Sequence, residues 1–198
     1  YQKAIEINPN NPEAYSNIGN LYIDLSNLDQ ALASTLKCLE LRPDHPAALT
    51  NLGRIHQLRG DLDQALISTL KSLKLKPNNP NALINLGIIY QDLGNLDQAL
   101  NSTLKSLRLK PDNPNAHMNL GNIYKDLGKS DQALNSMLKS LKLNPNNSDS
   151  LINLAAIYID IGNFDKAIAS IHQALKLKPD DSRALCKQGR IKMALGQI

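Results

Sequence analysis

Five asparagines recur at one interval along the chain, Asn17, Asn51, Asn85, Asn119 and Asn153. An asparagine side chain offers an acceptor and two donors, so a ladder of them can bond the N–H and C=O groups of an extended main chain without reading its side chains. An aspartate column, Asp24, Asp92, Asp126 and Asp160, broken by Leu58, runs beside the ladder and would bias a groove toward polar or basic side chains. A solvated face kept by sequence duplication is the competing reading. Against it, asparagine is a poor helix former, costing several tenths of a kcal/mol relative to Lys or Glu. The adjacent column has drifted to Asn20, Arg54, Ile88, Asn122 and Ala156, while the asparagines have not moved.

Other reactive side chains are arranged in ways that argue against catalysis. Ser34, Ser68, Ser102, Ser136 and Ser170 repeat with the same interval, as do Asp29, Asp63, Asp97, Asp131 and Asp165. A repeated column lacks the singular constellation that a catalytic site requires, so packing and capping are expected and no enzyme. His45, His56, His117 and His172 each replace a member of a different column, and no two share the i, i+4 spacing of a helical metal pair. Cys38 and Cys186 form no CxxC pair. Neither a metal nor any other cofactor is expected.

Proline recurs at 9, 43, 77, 111, 145 and 179, an interval of 34 with no insertion or deletion. Ala31, Ala65, Ala99, Ala133 and Ala167 align on the same interval, as do Gly19, Gly53, Gly87, Gly121 and Gly189, with Ala155 filling the gap. Each interval reads as two helices. In the third, Asn79 caps the first helix and Pro80 sits in its first turn. Leu83, Leu86, Gly87 and Tyr90 share one face, and Gly94 stops the helix. Asn95 with Gln98 opens a second helix, as do Asn27 with Gln30, Asp61 with Gln64 and Asn163 with Lys166; it runs to about Leu109 before Pro111. On the first helix, Asn81, Asn85, Ile88 and Asp92 fall within roughly 60° of surface, away from the Leu and Tyr core. The matching stripes are Glu13, Asn17, Asn20 and Asp24, and Asn115, Asn119, Asn122 and Asp126.

Leu83, Leu86, Gly87, Tyr90, Ala99 and Pro111 place the chain in resemblance to the tetratricopeptide repeat (TPR) family. The resemblance covers the whole chain as a single array: a partial repeat at 1–11, full repeats at 12–45, 46–79, 80–113, 114–147 and 148–181, and a partial repeat at 182–198. It implies an all-α, right-handed superhelical solenoid of antiparallel hairpins that acts as a protein–protein interaction scaffold. One column departs from the family pattern: Thr35, Thr69, Thr103, Met137 and Ile171 stand where an aromatic usually packs, and looser helix packing is expected there. The array also resembles those of marine cyanobacterial proteins.

The asparagine column resembles the ladder in the superhelical domain of O-linked N-acetylglucosamine transferase, which implies that first helices form the inner wall and that peptide main chain binds Asn17, Asn51, Asn85, Asn119 and Asn153. Asn122, Asn153, Arg183 and Lys187 resemble four of the five residues of the carboxylate clamp in chaperone-binding members, with Met118 replacing its leading lysine. That departure implies a weaker hold on a terminal carboxylate.

Lys and Arg outnumber Asp and Glu by 22 to 18, a net charge of +4 that permits an acidic partner without demanding one. Lys37, Lys71, Lys105 and Lys139, with Lys74, Arg108, Lys142 and Lys176, lie toward second-helix ends, where they complement the helix dipole. Nucleic acid is the weaker reading, since the inner face is nearly uniform and poor in aromatics for stacking. No apolar run reaches the length of a membrane span and no signal peptide is evident, so a cytoplasmic location is expected. The ends cut through repeats, at Tyr1 and at Gln197 and Ile198, so the chain reads as an excerpt. Association with other copies through uncovered hairpin faces is the alternative to peptide binding.

Overall fold

The computed structural model describes residues 2–194; Tyr1, Gln197 and Ile198, where the sequence assigns cut repeats, lie outside the described residues. All regular structure among the described residues is helical. The chain divides after Leu109 into two compact units. The first contains α1 (Gln2–Ile7), α2 (Pro12–Asp24), α3 (Leu28–Leu41), α4 (Pro46–Leu58), α5 (Leu62–Leu75), α6 (Pro80–Asp92) and α7 (Leu96–Leu109). The second contains α8 (Pro114–Asp126), α9 (Ser130–Leu143), α10 (Ser148–Asp160), α11 (Phe164–Leu177) and α12 (Ser182–Ala194).

Local chemistry sets these boundaries. Asn11, Asn79 and Asn113 accept the backbone N–H groups of Ala14, Ala82 and Ala116, and a proline that has no N–H to lose follows each cap. Asn27, Asp61 and Asn163 do the same for α3, α5 and α11, accepting from the N–H three residues on. Between paired helices the chain reverses through a left-handed residue: Gly60, Gly94, Gly128 and Gly162 have φ between 71° and 81°, and Ser26 takes that slot at 58°. The sequence assignment of Gly94 as a stop thus extends to a whole column.

In the first unit α2 packs on α3, α4 on α5 and α6 on α7, and α2 also touches α4, which touches α6. In the second, α8 pairs with α9 and α10 with α11, while α10 reaches both α8 and α12. First helices thus sit side by side with second helices behind them. Ile23, Ala31 and Ile55 form part of the first core; Met137, Leu151, Ile157 and Ile171 belong to the second.

The aromatic-less column corrects an expectation. Thr35, Thr69, Thr103, Met137 and Ile171 are all fully buried, and the packing there is tight instead of loose. A Cβ added at Gly53 would lie 2.1 Å from Thr69 Oγ1, and one at Gly19 would lie 2.6 Å from Thr35 Oγ1. Glycine lets the first helix settle onto the threonine of the second, so the small side chain closes the gap that an aromatic would otherwise fill. The fit leaves Thr35 Oγ1 and Thr69 Oγ1 buried without a hydrogen-bond partner.

Gly53→Ala is therefore expected to destabilise by about 1–3 kcal/mol through overpacking. Gly189→Ala, where an added Cβ meets nothing within 4 Å, should stabilise α12 by about 0.5–1 kcal/mol through helix propensity alone. Urea denaturation followed by circular dichroism separates the two; equal midpoint shifts would refute the packing argument.

Candidate functional site

The asparagine ladder lies on the first helices, but its amides do not all face the same surroundings. Asn51 is 8% exposed, and its Nδ2 donates to the Ser16 carbonyl at 2.9 Å. Asn85 is 9% exposed and donates to the Thr50 carbonyl at 3.3 Å. Each bond runs from one first helix to the residue preceding the asparagine position of the hairpin before it. The expectation of open amides is thus corrected for Asn51 and Asn85: helix stacking brings them against backbone carbonyls, whose second lone pair they satisfy. Asn119 is buried as well. Asn17 is exposed and Asn153 half-buried, and no hydrogen bond engages the side-chain amide of either among the described residues.

The aspartates behave differently because they fall at the helix ends. Asp24, Asp92, Asp126 and Asp160 are exposed. Asp24 accepts from Asn20 at 3.4 Å within its own helix, whereas Asp92 accepts from Gln57 of the preceding hairpin at 2.7 Å. Lys125 stands 3.2 Å from Asp126. The reading from sequence missed Gln57, although it occupies the column of Gln91 and could have been found there.

The clamp residues are not assembled as the resemblance implied. Arg183 donates from Nη2 to Asp149 at 2.5 Å and to Asp181 at 2.9 Å. Its guanidinium holds the Asp181 carboxyl down at about 2, and Asp181 also caps α12 by accepting from the N–H groups of Arg183 and Ala184. The arginine assigned to a ligand carboxylate therefore joins α12 to α10 through the protein's own carboxylates. Lys187 is half-buried and its ammonium is pushed below the usual lysine range, first by burial and then by Arg190 and Lys125. Asn122 is half-buried beside Ile123 in α8.

Columns that repeat without singularity do structural work. Ser34, Ser102, Ser136 and Ser170 donate to carbonyls four residues back, and Ser72 and Ser106 donate across the hairpin to Pro46 and Pro80 carbonyls. His45 is a cap: its Nδ1 accepts from the Ala48 N–H. His117 is buried, and its Nε2–H donates to the Pro111 carbonyl at 2.8 Å. Burial pushes the Cys38 thiol up to about 11. Among the described residues no group of three or more His, Cys, Asp or Glu could hold a metal ion, and no helix is long and apolar enough to cross a membrane.

A file of side-by-side first helices backed by second helices, with polar residues on the first-helix face, defines the class: a helical repeat array of the kind that serves as a protein-interaction scaffold. The family profile described as tetratricopeptide repeat matches residues 1–33, 35–67 and 69–101, with further repeat profiles over 89–128, 114–147 and 131–191. The chain belongs to the tetratricopeptide repeat family. It is similar to a thermophilic TPR protein of Thermus thermophilus, at 26% identity and a TM-score of 0.81, covering 93% of this chain and 99% of that one. Its likeness to the APC/C hetero-tetramer Cut9–Hcn1 shows the fold, at 22% identity and a TM-score of 0.85 over 96% of this chain and 38% of that one. YrrB, a TPR protein with an unusual peptide-binding site, is similar at 25% identity and a TM-score of 0.60 over 95% and 97%. No curated protein sequence matches the chain.

Two expectations follow. Asn85→Ala should lower stability by about 1–2 kcal/mol through loss of the amide bond, while Asn17→Ala stays within about 0.5 kcal/mol; equal urea midpoints for the two would show that the inter-helix bond contributes nothing. Burial depresses the proton affinity of His45 and His117 below the usual 6.5, so the unfolded chain binds the proton more readily. Their contribution is complete above pH 6.5 and is lost as pH falls below it. His45→Asn, which caps without titrating, should flatten the fall in melting temperature between about pH 7.5 and pH 5; an unchanged slope would exclude His45 as a contributor.

Proposed function

We propose that this array binds an extended polypeptide segment along the polar face of its first helices. The observation that carries this reading is the division of labour on that face. Asn51 and Asn85 lie in the floor, tying first helices together, while Asn20, Asp24, Asn81 and Asp92 in the first unit, and Asn115 and Asp160 in the second, remain exposed above it. In this reading the ladder acts in two ways. In the first unit Asn51 and Asn85 set the spacing of the helices, and Asn17, whose amide carries no internal hydrogen bond, reaches ligand main chain; Asn153, equally unbonded, does so in the second unit. The exposed aspartates select basic or polar side chains. The peptide-binding site named for YrrB supports a peptide as ligand here.

The clamp of Asn122, Asn153, Arg183 and Lys187 is not part of this proposal, because an incoming carboxylate would have to displace Asp149 and Asp181 from Arg183. Peptides selected by display on the array supply the test. A selected basic peptide should bind roughly 5–10-fold more weakly to Asp24→Asn with Asp92→Asn, and more weakly as salt rises, with at most a small change in melting temperature because an asparagine oxygen at 92 still accepts from Gln57. Failure to select any peptide, or affinity indifferent to both aspartates, would reject the reading.

A further inference from the structure

On the side of the second helices, within the first unit, lies an open hollow of about 270 Å3. Its floor is Leu73, Leu83 and Leu86, and its rim includes Pro77, Asn101 and Lys105. Leu83 and Leu86 are core members, only 3% and 7% exposed, and Leu73 is half-buried. The chain has no Trp and a single Phe, and that Phe is Phe164 in the other unit. The slot between α5, α6 and α7 is lined by leucines and stays open. A volume of this size falls just short of the roughly 300–1,000 Å3 typical of small-molecule pockets, and suits one large apolar side chain.

The stretches of α5, α6 and α7 that line the hollow carry cations and no carboxylates. Residues 64–91 and 98–109 contain no Asp or Glu, yet include Lys71, Lys74, Lys76, Lys105 and Arg108, all exposed. Among these, Lys71 alone reaches a carboxylate within the described residues, Asp44 at 3.7 Å. Leu70 and Leu75, 43% and 42% exposed, extend the apolar surface along α5. An apolar slot with Lys105 on its rim, and with Lys74, Lys76 and Arg108 exposed without a carboxylate partner on or beside the flanking helices, calls for an occupant of the opposite pattern.

We infer that this hollow is a second binding site, distinct from the first-helix face, for an acidic segment of a partner protein that inserts one phenylalanine or leucine side chain. The inserted side chain displaces water from the leucine floor, and its flanking carboxylates pair with Lys105 and with lysines of α5. Nucleic acid would also answer the charge, but the walls present no aromatic ring for a base to stack on.

Fluorescence anisotropy tests this with a fluorescein-labelled peptide carrying one phenylalanine flanked on both sides by glutamates. The peptide should bind, weaken with added salt, and lose at least about tenfold in affinity when its phenylalanine is replaced by alanine. Lys74→Glu with Lys105→Glu, both on the surface and checked for fold by circular dichroism, should cost about tenfold as well. Asp92→Asn on the first-helix face should leave this binding unchanged. Equal affinity for the phenylalanine and alanine peptides, no binding, indifference to the lysine changes, or loss on Asp92→Asn would each overturn the inference. Displacement of both peptides alike by single-stranded polyuridylate would assign the cationic rim to nucleic acid instead.

Discussion

The close approach of a glycine in one helix to a threonine in the next, at Gly19 with Thr35 and Gly53 with Thr69, is the contact on which the array depends. Helices of thirteen and fourteen residues are too short to hold themselves in water and must bury their apolar stripe against one another. Bringing the axes together at one small residue lets Ile55 of the neighbouring hairpin reach the core of Ile23 and Ala31. A larger side chain at the glycine would push the axes apart and open that core to water. Two buried threonine hydroxyls without partners show that closeness was kept at the expense of complete hydrogen bonding.

Once hairpins stack, the spacing of first helices is set by side-chain amides and not by apolar packing alone. Asn51 and Asn85 reach across to Ser16 and Thr50 carbonyls, and Gln57 reaches Asp92 in the same sense. Apolar contacts are non-directional and tolerate sliding; a hydrogen bond to a fixed carbonyl does not. A rigid polar floor of this kind is what a face for an extended chain requires, since ligand main chain must find its partners at regular spacing.

Electrostatics then separates the two sides of the first unit. The first-helix face ends in exposed aspartates, while the latter halves of the second helices carry lysine and arginine toward the negative helix end. The same arrangement that suits the helix dipole leaves a cationic surface around the hollow over Leu73, Leu83 and Leu86. At the far end of the second unit, Arg183 instead serves the protein itself, linking Asp181 to Asp149.

Much of this was readable from residue order. The caps at Asn79 and Asn163 and the left-handed stop at Gly94 involve partners two to five residues apart, so their geometry is dictated by the local backbone, and the 34-residue period shows in the recurrence of proline alone. Threonine packing, the burial of Asn51, Asn85 and Asn119, and the diversion of Arg183 were not readable in this way. Each depends on groups about 16 to 35 residues distant, Gly53 to Thr69, Asn85 to Thr50, Arg183 to Asp149. Residue order placed the five asparagines at equivalent positions of five successive first helices, because the 34-residue period recurs without insertion. Which of them meet a neighbouring carbonyl and which do not was decided only when hairpins stacked, because an amide bonds the acceptor that packing brings within about 3 Å.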